Sequence, residues 1–208
     1  MSAIPQSGTQ TEAPGEEDQA RANIYGLLAR LWYAAPDQDL LDALARGAGS
    51  EEDADPTPLA SAWCGLARAA ANADPEALTH EYDSLFVGTG RAEITLYCSH
   101  YLAGTGKDLM VIALRDELRG LGLGRSDATH EPEDHFSALL EVMRHLIVQS
   151  SEDAQIEFQK RFFLRYIQGS YAALTDAVSN NGGADFYRGI ARLTRVFLDV
   201  ESQSLNML

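Results

Sequence analysis

The sequence predicts an all-α fold: a single globular helical bundle, with two helical sub-lobes joined by a hinge loop as the variant arrangement. Three observations predict it. Apolar residues recur at i, i+3, i+4, i+7 through most of the chain. Aspartate, proline and glycine stand where such runs begin and end. No internal repeat and no alternation of strand and helix patterns is present. At 208 residues, the chain is long enough for one sizeable core.

Residues 1–17 are rich in Pro, Gly, Ser, Thr, Gln and Glu and are expected to be a disordered acidic and polar tail. The all-helical domain is expected over 18–208. Ile24, Leu27, Leu28 and Leu31, with Trp32 alongside, mark its first helix. Asp37 is placed to cap a short helix carrying Leu40, Leu41 and Leu44, which Gly47 ends. After the polar stretch 47–58, Leu59, Ala62, Trp63, Leu66 and Ala70 mark another helix. Asp74 and Pro75 open the next, Leu78, Tyr82, Leu85 and Phe86 give its apolar stripe, and Gly88 closes it. The stretch 88–106 is the strand-like part of the sequence and is expected to form an ordered loop. A helix follows over 107–119, then a glycine-rich hinge candidate at 120–131. Phe136, Leu139, Leu140, Met143 and Ile147 share one face of the next helix. A long helical region from Glu152 to Ser179 is expected to bend near Gly169. "NNGGAD" breaks it, and Phe186, Ile190, Leu193, Phe197 and Val200 define the last helix.

The chain carries 31 acids against 16 bases, a net charge of −15. Phosphate neutralisation needs clustered Lys and Arg, so nucleic acid is an unexpected partner. No stretch approaches the roughly 20 apolar residues of a membrane span. The start of the chain lacks the basic and apolar regions of an export signal. Two cysteines, Cys64 and Cys98, make no disulfide framework. A cytoplasmic protein with free thiols is expected.

The stretch "HEPEDHF" (130–136) concentrates two histidines and three acids ahead of an apolar helix. Three readings are open. As a metal site it is poor: the histidines are five apart with Pro132 between them, whereas helical zinc motifs place two on one face a turn apart. As an acid–base cluster, His130, Asp134 and His135 would serve a small metal- or nucleotide-dependent hydrolase, although no nucleophile elbow or complete phosphate loop accompanies them. As a helix start, Pro132 would sit at the first helical position with Glu133 and Asp134 in the first turn, where acids suit the macrodipole. That last reading leaves His135 unexplained.

"EPEDHF" followed by "LLEVM", taken with "EYDSLFVGTG" and "YCSHY" upstream, resembles the TorD/DmsD/NarJ-like family of redox-enzyme maturation chaperones. The resemblance runs from about residue 20 to residue 200. Leu96 stands where the family often has proline, and "FLRYI" (163–167) lacks the family's His and Trp. The resemblance implies an all-helical protein that is not an enzyme and carries no cofactor of its own. It implies a partner, the catalytic subunit of a molybdenum oxidoreductase, bound through its signal peptide or apo form so that cofactor is inserted and premature export blocked. It further implies homodimers in some members. The client-binding residues it suggests are Glu131, Pro132, Glu133, Asp134, His135, Tyr97, Ser99, Tyr101, Phe86 and Gly88. Carboxylates at 133 and 134 would meet client guanidinium groups, and the aromatic rings would line an apolar groove. For Tyr82, Leu85 and Phe86, plain core is the stronger reading of the residues themselves.

Overall fold

The computed structural model describes residues 15–47, 57–88, 90–102, 107–123, 132–149 and 153–207. Their helices are α1 (Glu16–Tyr33), α2 (Gln38–Arg46), α3 (Pro58–Ala70), α4 (Pro75–Tyr82), α5 (Lys107–Gly120), α6 (Phe136–Val148), α7 (Asp153–Phe162), α8 (Gln168–Ser179) and α9 (Phe186–Met207). The all-α class therefore holds. Two π-helical segments continue α4 and α7, at Asp83–Val87 and Phe163–Ile167, and a 3-10 turn lies at Cys98–His100. Most of the expected tail, 1–14, lies outside the described residues, as does 124–131 of the hinge candidate. The first helix already begins at Glu16, with Glu16, Glu17 and Asp18 in the turn where acids suit the helix dipole.

Local punctuation is as the residues dictate. Asp37 accepts a hydrogen bond from the Leu40 N–H, and Asp74 accepts from Glu76 and Ala77 with Pro75 at the first helical position. Two expectations change. The long region after Glu152 departs from α geometry at Phe163–Ile167 rather than at Gly169. A π turn inserts one extra residue into the helix, a known cause of such irregularity. Gly169 instead makes room for Leu102, whose Cδ2 lies 2.6 Å from where a Cβ would stand. On α9, Val200 is half exposed, while Leu198 and Glu201 face inward.

The core is built on α1 and α6, which lie against each other along most of their length; α9 packs on α3 and α8. Trp32 is fully buried and donates its indole N–H to Thr194 Oγ1 at 2.9 Å. Its ring meets Phe86, Phe136 and Tyr187 edge-on at 5.5–6.4 Å between centroids. Ser137 donates to the Ala29 carbonyl at 2.7 Å, satisfying a hydroxyl at the α1–α6 contact. A second polar tie runs through Glu201, buried on α9. Its carboxylate accepts a bidentate pair from Arg21, at 2.9 Å each, and the Tyr25 hydroxyl at 3.1 Å.

Two adjacent residues complete helix ends elsewhere. The last carbonyls of a helix have no partner within it. On α1 the Tyr33 carbonyl accepts the Tyr82 hydroxyl at 2.6 Å and the Leu31 carbonyl accepts the Tyr187 hydroxyl at 3.3 Å. The N-terminus of α9 is the mirror case: Glu81 of α4 accepts N–H donors from Asp185, Phe186 and Tyr187 at 2.8–3.2 Å.

Candidate functional site

The two motifs of the sequence meet. The loop after Ile94 reaches the entry to α6 and forms a single antiparallel bridge, Tyr97 with His135. The Phe136 N–H donates to the Leu96 carbonyl at 2.8 Å, and the Cys98 N–H donates to the Asp134 carbonyl at 2.9 Å. The Asp134 carboxylate accepts from the Ser99 N–H at 3.3 Å. Asp134 is 3% exposed, so its charge is spent holding the start of the 3-10 turn. Proline is not the first residue of α6. Pro132, Glu133 and Asp134 form a turn ahead of the helix, the His135 N–H donates to the Pro132 carbonyl at 3.1 Å, and His135 itself is the N-cap. The bridge to the loop takes the backbone groups that a first helical turn would have used. The helix-start reading of Pro132 is corrected accordingly.

Glu133 is also committed. Arg115 of α5 donates to both of its oxygens, at 2.9 and 3.0 Å, a bidentate pair. The expectation of carboxylates waiting for a client guanidinium thus meets two carboxylates already bonded within the chain. Tyr101 donates its hydroxyl to the Thr95 carbonyl at 2.8 Å, which closes the loop on itself; burial and then the nearby Cys98 push its phenol up to about 12. Burial, with a smaller contribution from Asp134, pushes the Cys98 thiol up to about 12 against a hydrogen bond from Ser170, so it stays a neutral thiol under the loop.

What reaches the surface is aromatic. His135 is 5% exposed and lies between two tyrosines, with ring centroids 5.7 Å from Tyr97 and 6.5 Å from Tyr33, both edge-on. Tyr97 is 36% and Tyr33 50% exposed, and Pro132, in the turn before His135, is exposed as well. Sequence reasoning missed Tyr33. It stands at the end of α1, and the only signal was its place after Trp32, outside the apolar stripe.

The remaining candidates lie apart from this face. Phe86 belongs to the aromatic core with Trp32, Tyr82 and Tyr187. Gly88 has φ +64°, and a Cβ there would run into the Arg91 carbonyl, so it shapes the turn back towards Ile94, whose N–H donates to the Leu85 carbonyl. Phe86 and Gly88, expected at the groove, are thus engaged in building the fold. Glu131 and His130 lie outside the described residues. Among the described residues, no group of three or more His, Cys, Asp or Glu is arranged to hold a metal ion, and no helix is long and apolar enough to cross a membrane. Both cysteines are free.

The fold resembles that of a solved structure described as a putative redox enzyme maturation protein from Archaeoglobus fulgidus. The two superpose with a TM-score of 0.55 over 93% of this chain and 99% of that one, at 20% identity. The two chains share one fold. The family model for the nitrate reductase delta subunit matches residues 52–174, and the chain belongs to that family, the TorD- and NarJ-like redox-enzyme maturation chaperones. Among its curated relatives are the chaperone protein TorD of Shewanella loihica, 25% identical with 90% of this chain and 94% of the relative covered, and that of Shewanella pealeana, 25% identical with 95% of each covered.

Proposed function

We propose that the chain is a cytoplasmic, non-catalytic chaperone that binds the signal peptide or apo form of a molybdopterin-dependent oxidoreductase catalytic subunit. It holds that client until cofactor is inserted and export is safe. The contact face is Tyr33, Tyr97, His135 and Pro132. Asp134 and Ser99 hold that face in shape, and Glu133 anchors it to α5.

The observation that carries this reading is the clasp between the two motifs. Three hydrogen bonds join segments nearly 40 residues apart: the Leu96 and Asp134 carbonyl contacts that make up the bridge, and the Ser99 N–H on the Asp134 carboxylate. They present one buried histidine between two exposed tyrosines. Exposed tyrosines supply large, stiff contact area for a polypeptide and can stack on a client arginine. Family membership supports the chaperone role, and the names of the curated relatives support the TorD-type client.

The experiment is affinity capture from native cytoplasm with the tagged wild type beside Tyr97→Ala/His135→Ala, read by mass spectrometry. The wild type captures a molybdoenzyme catalytic subunit, and the double variant, still folded by circular dichroism, loses most of it. Equal capture by both proteins refutes the assigned face. Capture of no such subunit under molybdenum-dependent growth refutes the client.

A further inference from the structure

A groove of about 550 Å³ lies between α3, α8 and α9 and shares no residue with the clasp. Its size falls within the range of small-ligand sites. Arg188, Arg192 and Arg195 border it at helical spacing on α9. Arg195 is neutralised by Asp176 at 3.1 Å and Asp199 at 3.2 Å. Arg188 and Arg192 are not. Arg188 donates to the Asn181 carbonyl and Arg192 to Ser61 Oγ, both at 3.3 Å, and neither has a carboxylate partner among the described residues. Both are exposed, one turn apart, with Asp185 also lining the groove; in a chain with nearly twice as many acids as bases, the pair offers forked donors to an anion from outside.

The floor carries a second, independent sign. Gly65 lines the groove from the interior of α3, and Gly189 from the first turn of α9. Neither has a positive φ. A Cβ at Gly65 would meet nothing within 4 Å, and one at Gly189 would make ordinary contact with Leu66 at 3.5 Å. Glycine in a helix interior is less favourable than alanine, and here neither backbone conformation nor packing within the chain requires it. What the two glycines do provide is an open floor.

We propose that this groove binds a small organic phosphate, its anionic group held by Arg188 and Arg192 and its body lying over Gly65 and Gly189. Charge-assisted, forked donors suit phosphate, and a floor free of side chains at Gly65 and Gly189 leaves room for a planar body. Asp185, on the rim, opposes the anion and sets an upper limit on affinity.

The test is titration calorimetry of the full chain at low salt. Two phosphate monoesters with different planar bodies, AMP and flavin mononucleotide, are the probes, with inorganic phosphate beside them. At least one ester binds, at least about tenfold tighter than inorganic phosphate, and the tighter ester identifies the class of body. Arg188→Gln/Arg192→Gln weakens that ester by about tenfold or more, and Asp185→Asn tightens it. Gly65→Leu abolishes binding with little change in melting temperature, while Gly65→Ala melts higher than wild type. Silence with both esters overturns the proposal. So does binding that survives Gly65→Leu, or inorganic phosphate binding as tightly as the esters. Client capture by Gly65→Leu remains at the wild-type level; its loss would make the groove part of the client surface and overturn the proposal from the other side.

Discussion

Glu81 and Tyr82 are neighbours in the sequence and serve opposite ends of two different helices. One gathers the N–H groups that open α9, and the other closes the carbonyls that end α1. The first half of the upstream motif is thus scaffolding, and so are Leu85, Phe86 and Gly88 that follow it. Only the second half, with Tyr97, reaches the surface beside His135. Sequence spacing could not separate these roles, because the partners of Glu81 lie over 100 residues away. Tyr33 was illegible for a related reason: it sits outside the apolar stripe of α1, and its neighbour His135 is supplied by another helix entry. A prediction belongs at this scale. Tyr33→Ala, at a half-exposed position, leaves the melting temperature within a few degrees and weakens client binding by about tenfold, whereas Tyr33→Phe keeps most of the affinity. Titration of the captured client's N-terminal segment by calorimetry reads both.

At the level of the element, local rules were reliable where they met no competitor. Asp37, Asp74 and Pro75 behave as capping chemistry dictates. Pro132 does not, because the backbone ahead of α6 is claimed by the loop at Leu96–Cys98. The π segments had no sequence signal to offer, since each depends on what packs beside it. Phe163–Ile167 turns Phe163, Tyr166 and Ile167 all inward. Two substitutions test the elements. Glu81→Ala leaves three N–H groups at the head of α9 without their carboxylate and costs about 2 kcal/mol, a fall in melting temperature of roughly 4–8 °C. Gly88→Ala forces a side chain into a positive-φ turn against Arg91 and costs about 1–3 kcal/mol. Denaturant midpoints measure each.

For the whole molecule, the all-α class was legible because amphipathic periodicity survives in nearly every helix. The pairing of α1 with α6 was not, as no local pattern encodes which faces meet. The assembled core has a consequence for pH. Burial raises the phenols of Tyr25 and Tyr187 and the thiol of Cys98 above their ordinary values. These groups stay protonated in the fold but ionise in the unfolded chain. Their stabilisation is therefore complete below about pH 9 and is lost as pH climbs towards the folded values. Each group contributes a loss of about 1.4 kcal/mol per pH unit once its unfolded form has ionised. Melting temperature accordingly declines from pH 9 upwards, and Cys98→Ala, compared with its own value at pH 8, declines less between pH 9 and 10. A flat profile across that interval contradicts the assignment of a buried neutral thiol.

The clasp at Tyr97 and His135 also gives the protein a gauge. Its two main-chain donors, the amides of Cys98 and Phe136, are closed by contacts that can open without unfolding any helix. Their exchange with deuterium reports the opening of this one joint, in minutes rather than in the hours of the buried core. On the proposed contact face, a client lying across the tyrosines would close the joint, and its occupancy would read as a slowing at two amides, without a label on either protein.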